Sequence, residues 1–212
     1  MAKVIYGFTR DSFDDRYREP DYHYGTEANA FLVSQKARFR PGMKALLPGD
    51  GEGRNGVWLA GQGLDVTTFD PSPYGVEKAL KLAAGRSVSI DAQVAGVESW
   101  DWKECQFDVI GLFFIHFPAE LRRAAHAQVL KSLRPGGIAV LETFSPRQIE
   151  MRKHGAAGGP KDIERLFTCD MLRQDFAGAR FHVLEETEAD FTGHAHYGRC
   201  GVVRMVAEKP NS

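Results

Sequence analysis

The residues best suited to chemistry are Gly49-Asp50-Gly51-Glu52-Gly53-Arg54-Asn55, set between a short apolar run and a helical pattern. Glycines at alternate positions let the chain turn sharply and let a ligand approach main-chain atoms without meeting a Cβ. The helix that follows presents its N-terminal amides, with their partial positive charge, to the same spot. Asp70 stands 17 residues after Gly53, at the end of the stretch Leu64-Asp-Val-Thr-Thr-Phe. A carboxylate there can accept hydrogen bonds from both hydroxyls of a ribose. Loop and acid together describe a nucleoside-cofactor site. Taken singly, the loop is also compatible with a tight turn, and Asp70 with a helix cap before Pro71-Ser-Pro.

His116, in Phe113-Phe114-Ile115-His116-Phe117-Pro118, closes a second apolar run. It is placed to act as a general base toward a hydroxyl or amine, or to cap the following helix. Phe113 and Phe114 either flank a planar base or fill the core. Tyr22, His23 and Tyr24 suit a lid over the reacting group. His154, His194 and His196 sit in glycine-containing loops, have no metal-ligand spacing, and are expected in solvent. Arg147, Arg152 and Lys153 suit either an anionic substrate or a solvated helix face.

These groups require a scaffold of alternating strands and helices. Residues 1–40 form an N-terminal segment outside any sheet, with short helices at Asp11–Tyr17 and from Thr26, whose side chain caps the second. From Lys44 onward strands are expected at 44–48, 64–70, 87–90, 107–114 and 138–144. Helices are expected at 54–61, 76–84 and 118–132, the last with Pro118 in its first turn. Arg134-Pro-Gly-Gly forms a turn, and the glycine-rich stretch 153–161 a mobile loop. Such alternation implies parallel strands with helices on both faces. Arg180–Glu186 and Gly201–Lys209 follow with no helix between them and should pair antiparallel at the sheet edge.

Composition narrows the function classes. Lys plus Arg number 27 against 28 Asp plus Glu, a net charge of −1, which offers no basic excess for nucleic acid. The three cysteines are far apart, and neither a metal motif nor a disulfide framework emerges. The N-terminus lacks the apolar core of a signal peptide, and the longest apolar stretch, 109–117, is too short to span a bilayer. The expectation is a cytoplasmic protein, monomer or homodimer, without nucleic-acid or membrane partners.

Leu46-Leu-Pro-Gly-Asp-Gly-Glu-Gly-Arg-Asn-Gly-Val-Trp-Leu-Ala60 resembles the first motif of class I S-adenosylmethionine-dependent methyltransferases. Its Glu-Gly-Arg-Asn continuation is similar to the tellurite-resistance and thiopurine methyltransferase-like branch. Phe69-Asp-Pro-Ser72 resembles the second motif, and Leu133-Arg-Pro-Gly-Gly-Ile-Ala-Val-Leu-Glu142 the entry to the fifth strand. Tyr24-Gly-Thr-Glu-Ala-Asn-Ala-Phe-Leu32 is similar to the lid sequence of bacterial members. The resemblance implies an α/β, doubly wound, seven-stranded, mostly parallel sheet with an antiparallel C-terminal hairpin. Residues 1–40 would be a helical lid and 41–212 the cofactor domain.

It implies S-adenosylmethionine as cofactor and S-adenosylhomocysteine as product. The implied contacts are Gly49, Asp50, Gly51, Gly53, Asn55, Asp70, Pro71, Val97, Glu98 and Phe113, with His116 and Tyr24 as catalytic residues. The acceptor would be a small molecule with a soft nucleophile, such as a thiol or a tellurite-like oxyanion. Two positions depart from the pattern. Leu47 stands where an acidic residue is common, with Asp50 as its replacement, and Gly96-Val-Glu occupies the place of a second acid, with Glu98 or Asp91 as substitutes. Cofactor binding without turnover, in a regulatory protein, is the alternative those departures keep open. A nicotinamide oxidoreductase is a further alternative, against which the Gly-x-Gly-x-Gly spacing and the terminal hairpin weigh.

Overall fold

The computed structural model describes residues 4–5, 8–117, 119–193 and 195–211. The expected helix start at Pro118 and the loop histidine His194 lie outside these residues. The main sheet contains β3 (Lys44–Pro48), β4 (Asp65–Asp70), β5 (Asp91–Val94), β6 (Phe107–Phe113), β7 (Leu133–Phe144), β8 (Arg180–Thr192) and β9 (Tyr197–Glu208). Their order is β5-β4-β3-β6-β7-β9-β8. β3 to β7 are parallel, and β9 enters antiparallel between β7 and β8. The doubly wound α/β sheet and its terminal hairpin are as the sequence implied. Connections run outward from β3 in one direction and from β6 in the other, so a crevice opens at the carboxyl ends of those two strands.

Helices α3 (Arg54–Gly61), α4 (Pro73–Gly85) and α5 (Ala119–Ser132) make the crossovers, and α6 (Gln148–Lys153) and α7 (Cys169–Asp175) follow β7. Neighbouring residues of the central strands point to opposite faces, and both faces are covered. Leu46, Ile110 and Leu141 join one apolar cluster, while Leu47, Val109 and Val140 join the other. That double burial is why these strands read as continuous apolar runs. No helix of the described residues is long and apolar enough to cross a membrane.

Several local expectations are corrected. Residues 1–40 do contain strand: β1 (Val4–Ile5) and β2 (Phe8–Thr9) pair with each other, apart from the main sheet. Helix α1 spans Arg10–Arg18, and α2 spans Ala30–Ser34 and is capped by Asn29, whose side chain accepts from the Leu32 amide, not by Thr26. Helix α4 starts at Pro73, ahead of the expected Val76, because Ser72 caps it. The expected strand at 87–90 is instead the exit from α4. Ser87 has φ +55°, and Val88 and Ile90 tuck against Val57 and Leu82. Pairing with β4 begins only at Asp91, in a four-residue edge strand that is largely exposed.

The Arg134-Pro-Gly-Gly turn is an irregularity within β7, where pairing with β6 shifts between Phe107 and Val109. The 153–161 stretch is pinned, not mobile. The Arg152 guanidinium donates to the carbonyls of Gly158, Gly159 and Pro160 at 2.6–2.8 Å, and Ala157 pairs with Tyr197.

Candidate active site

β3 runs into Gly49, Gly51 and Gly53, all at positive φ (61°, 57° and 86°). The Gly49 amide donates to the Phe69 carbonyl at 2.7 Å, tying the turn to the end of β4. Asp70 continues that tie. Its Oδ2 accepts from the Gly51 amide at 3.0 Å and its Oδ1 from the Ser72 amide at 2.9 Å. Asp50 folds back on the first turn of α3, where its Oδ2 accepts from the Gly56 amide at 3.0 Å. Its Oδ1 is buried without a hydrogen-bond partner.

The glycines serve different neighbours. A Cβ on Gly51 would stand 2.6 Å from the Tyr17 hydroxyl, above the turn, whereas a Cβ on Gly53 would stand 2.5 Å from the Ala79 Cβ of α4. Gly51 therefore faces the cleft, and Gly53 lets two helices touch.

Both acids are held in the protein interior. Burial pushes the Asp50 and Asp70 carboxyls up to about 7 each, against the backbone amides that favour their charge. A carboxyl raised on folding adds stability below its unfolded pKa, near 4, and loses it as pH climbs toward 7. The variant Asp50→Asn removes that loss. Its amide leaves new N–H groups unpaired, which offsets part of the gain. We expect its melting temperature to exceed the parent's by about 3–6 °C at pH 8 and the difference to vanish near pH 4, as thermal unfolding at the two pH values would show.

A lid from the N-terminal segment closes over the turn. Glu52, only 3% exposed, accepts from the backbone amides of His23 and Tyr24 at 3.1 and 3.3 Å and pairs with Lys78 Nζ at 2.8 Å. Arg54 donates to the Tyr24 carbonyl at 3.3 Å. Asn55 accepts from the Asn29 amide at 2.9 Å, and the Asn29 side chain donates to buried Glu142 at 2.7 Å. The glycine turn is thus also the docking post of the N-terminal segment. Glu52→Gln weakens a largely buried ion pair and one amide contact, so we expect a loss of about 2 kcal/mol. We also expect faster proteolysis in residues 18–29, with the main sheet unchanged by circular dichroism.

The cleft between lid and sheet holds about 940 Å³ of space, open solvent at its mouth included. Gly49, Asp50, Gly51, Asn55, Asp70, Pro71, Phe113, His116 and Tyr24 meet there. Three residues named from sequence do not line it. Gly53 packs on α4, Val97 is in the apolar core beside Phe69, and Glu98 is exposed. Asp91 is also exposed and accepts from the Gln93 amide. Leu47 is buried in the apolar cluster.

Among the lid candidates, only Tyr24 reaches the cleft. Tyr22 packs against Val57 and Leu82 with its hydroxyl on the Lys78 carbonyl, and His23 lies edge-on to Tyr24. Arg147 pairs with Glu188, Arg152 holds its loop, and Lys153 pairs with Glu150; none lines the cleft.

His116 is 7% exposed. Its Nδ1–H donates to the Arg165 carbonyl at 3.0 Å, and Thr143 Oγ1 lies 3.3 Å from Nε2. Burial lowers its pKa to about 4, so the ring is neutral. Phe114 stands beside it at φ +56°, a strained backbone of the kind that gathers at functional sites. His196, expected in solvent, is instead in the cleft wall; Tyr17 and Phe144 also line the cleft without having been named as site residues, and Glu52 and Arg54 line it though they read only as members of the glycine motif. Glu52 and Arg54 are adjacent to the recognised turn, but no spacing signals His196, which the β8–β9 connection brings in from the far end of the chain.

Residues 46–137 match the family model described as a methyltransferase domain. A search of the curated proteins finds no match. Among solved structures, one determined for the conversion of a disulfide bond into a thioacetal group during echinomycin biosynthesis has a TM-score of 0.74 at 24% identity, covering 96% of this chain and 93% of that one. TehB from Haemophilus influenzae has a TM-score of 0.68 at 17% identity, with 95% and 68% covered. The N-methyltransferase NodS from Bradyrhizobium japonicum, solved with S-adenosylhomocysteine, has a TM-score of 0.65 at 17% identity, with 93% and 97% covered. Residues 46–137 are thus similar to a methyltransferase domain, and the whole chain shares the fold of these solved structures.

Proposed function

We propose that this protein is an enzyme that transfers a methyl group from S-adenosylmethionine to a small-molecule acceptor, with a thiol as the foremost class. One observation carries the reading: a glycine turn, a ribose-spaced acid and the apolar face of Phe113 converge on one cleft. These residues fit the cofactor. Gly49 and Gly51 would admit it to main-chain atoms, where a Cβ on Gly51 would intrude, and Asp70 would hold ribose hydroxyls. Pro71 and Phe113 offer apolar surface to a base. When bound, the cofactor supplies a methyl group activated on a sulfonium.

The chain's own residues then hold the acceptor, align it and exclude water. The lid, docked through Glu52 and Arg54, covers the turn, and Tyr24 closes the acceptor side. His116 is neutral and already committed through Nδ1, which suits a hydrogen bond to the acceptor better than strong proton abstraction. A thiol, which ionises closer to neutral pH than a hydroxyl does, asks little of so weak a base. The sulfur chemistry named for the thioacetal-forming structure supports the same choice. Three unpaired cysteines fit a reducing cytoplasm.

Binding without turnover is the second reading, favoured by Leu47 in the core and by the absence of Glu98 and Asp91 from the cleft. Incubation with methyl-labelled S-adenosylmethionine and separate thiol, phenol, amine and tellurite acceptors decides between them. Labelled thioether supports transfer to thiols. Tight cofactor binding with no labelled product from any acceptor supports the second reading.

A further inference from the structure

One buried cluster of titratable groups lies outside the cleft, between α5 and α7. Arg122 and His126 stand four residues apart on one face of α5, and both reach Asp175, the last residue of α7. Arg122 Nε donates to Asp175 Oδ2 at 2.6 Å and its Nη2 to Oδ1 at 3.4 Å, while His126 Nδ1–H donates to the same Oδ2 at 2.9 Å. All three side chains are buried. Burial keeps the His126 ring neutral against the pull of that carboxylate, so its Nε2 is left without a hydrogen-bond partner. A buried charge pair adds little net stability over apolar packing, but it dictates where its elements sit, because separating the partners is costly.

What α7 carries leads to the cleft. Three residues ahead of Thr168, which caps α7, the Arg165 carbonyl accepts the His116 Nδ1–H at 3.0 Å. Phe167 lies between, with its amide on the Phe144 carbonyl at 3.0 Å. Its buried ring meets both histidines edge to face, 6.1 Å from His116 and 5.7 Å from His126. The proton of a neutral imidazole stays on the nitrogen that finds an acceptor. The Arg165 carbonyl therefore leaves Nε2 of His116 as the unprotonated atom.

Resting on the methyl-transfer reading above, we propose that Asp175 is a positioning residue for His116: clamped to Arg122 and His126, it holds α7 and the 165–167 segment where the Arg165 carbonyl keeps the His116 proton on Nδ1. Nε2 is thereby kept as the hydrogen-bond acceptor offered to the methyl acceptor. Helices α5 and α7 contribute no residue to the cleft, yet they set the state of its imidazole.

The test is the tautomer of His116, read by nitrogen NMR of histidine-labelled protein at neutral pH with the signal assigned through His116→Gln. Steady-state methyl transfer to the acceptor labelled in the screen above accompanies it. The parent should show the Nδ1–H form alone. Asp175→Asn, which removes the charge, and His126→Leu, which removes the second donor, should each bring in the Nε2–H form. Both should lower kcat about tenfold and leave KM for S-adenosylmethionine unchanged. His126→Asn, whose side-chain N–H can take the place of Nδ1–H, should restore the parent's tautomer and most of its kcat. Arg134→Met breaks the Asp108–Arg134 pair at the opposite end of β7 and should change neither, which separates positioning from lost stability. If Asp175→Asn does not fold, the two His126 variants decide. A parent tautomer in folded His126→Leu and Asp175→Asn, or an equal shift in Arg134→Met, would overturn the proposal. An intact protein that shows the Nδ1–H form but methylates no acceptor would instead overturn the methyl-transfer reading.

Discussion

Asp70→Ala lowers the affinity for S-adenosylhomocysteine by at least about 100-fold. Two hydrogen bonds from ribose hydroxyls to a carboxylate, at about 1.5–3 kcal/mol each, account for a factor of that order. A second effect acts in the same direction. Both Asp70 oxygens already hold backbone amides, those of Gly51 and Ser72. Removing the carboxylate leaves two N–H groups at the base of the turn without their acceptor, so the turn loses its shape as well as its ligand contact. Asp70→Asn retains one acceptor and should fall between parent and alanine variant. Calorimetry measures the affinities, and thermal unfolding without ligand shows whether each variant is folded. An alanine variant that binds as tightly as the parent would remove Asp70 from the site.

Gly53→Ala destabilises the protein by about 3–4 kcal/mol, or about 10 °C in melting temperature. Its backbone sits at φ +86°, where an L side chain costs roughly 1–2 kcal/mol. The added methyl would stand 2.5 Å from the Ala79 Cβ and 2.7 Å from its Cα, and relieving such a clash costs about 1–3 kcal/mol. The neighbour cannot swing away, because the contact includes the backbone of α4. Gly51→Ala makes the contrast. Its methyl meets the tip of the Tyr17 side chain, which can rotate, so this variant should lose less stability and more cofactor affinity. Thermal unfolding and calorimetry on the two variants separate a packing glycine from a ligand-facing one. Equal melting temperatures would contradict the assignment.

The architecture was legible in the sequence because doubly buried strands and their turns leave strong local signals. Phe107–Phe114, a near-continuous apolar run, reads as a central strand covered on both faces, and the glycine turn followed by Asp70 located the crevice. What escaped was decided by distant partners. Asp91–Val94 is a four-residue, largely exposed edge strand whose short alternation gives little signal apart from its pairing with β4, so the Ser87–Ile90 stretch drew the assignment away from it. Val97 and Glu98 were placed by analogy with the family pattern, but the chain turns there so that Val97 joins the core and Glu98 meets solvent.

The lid shows the same division. Tyr24 was recognisable as an aromatic beside a glycine, whereas Tyr17 reaches Gly51 only because α1 lies across the turn. Glu52 reads only as a member of the glycine motif, between Gly51 and Gly53. Its role emerges from amides 28 and 29 residues away in sequence. His196 belongs to a loop that composition alone marks as solvent-facing, and only the pairing of β8 with β9 returns it to the end of β6.

The most direct test is a calorimetric titration of the intact protein with S-adenosylmethionine and with S-adenosylhomocysteine. Saturable binding of both at one site per chain, in the micromolar range, is the predicted result. No binding of either ligand would mean that the cleft built on Gly49, Asp50, Gly51 and Asp70 is not a cofactor site, and the proposed methyl transfer would have to be abandoned.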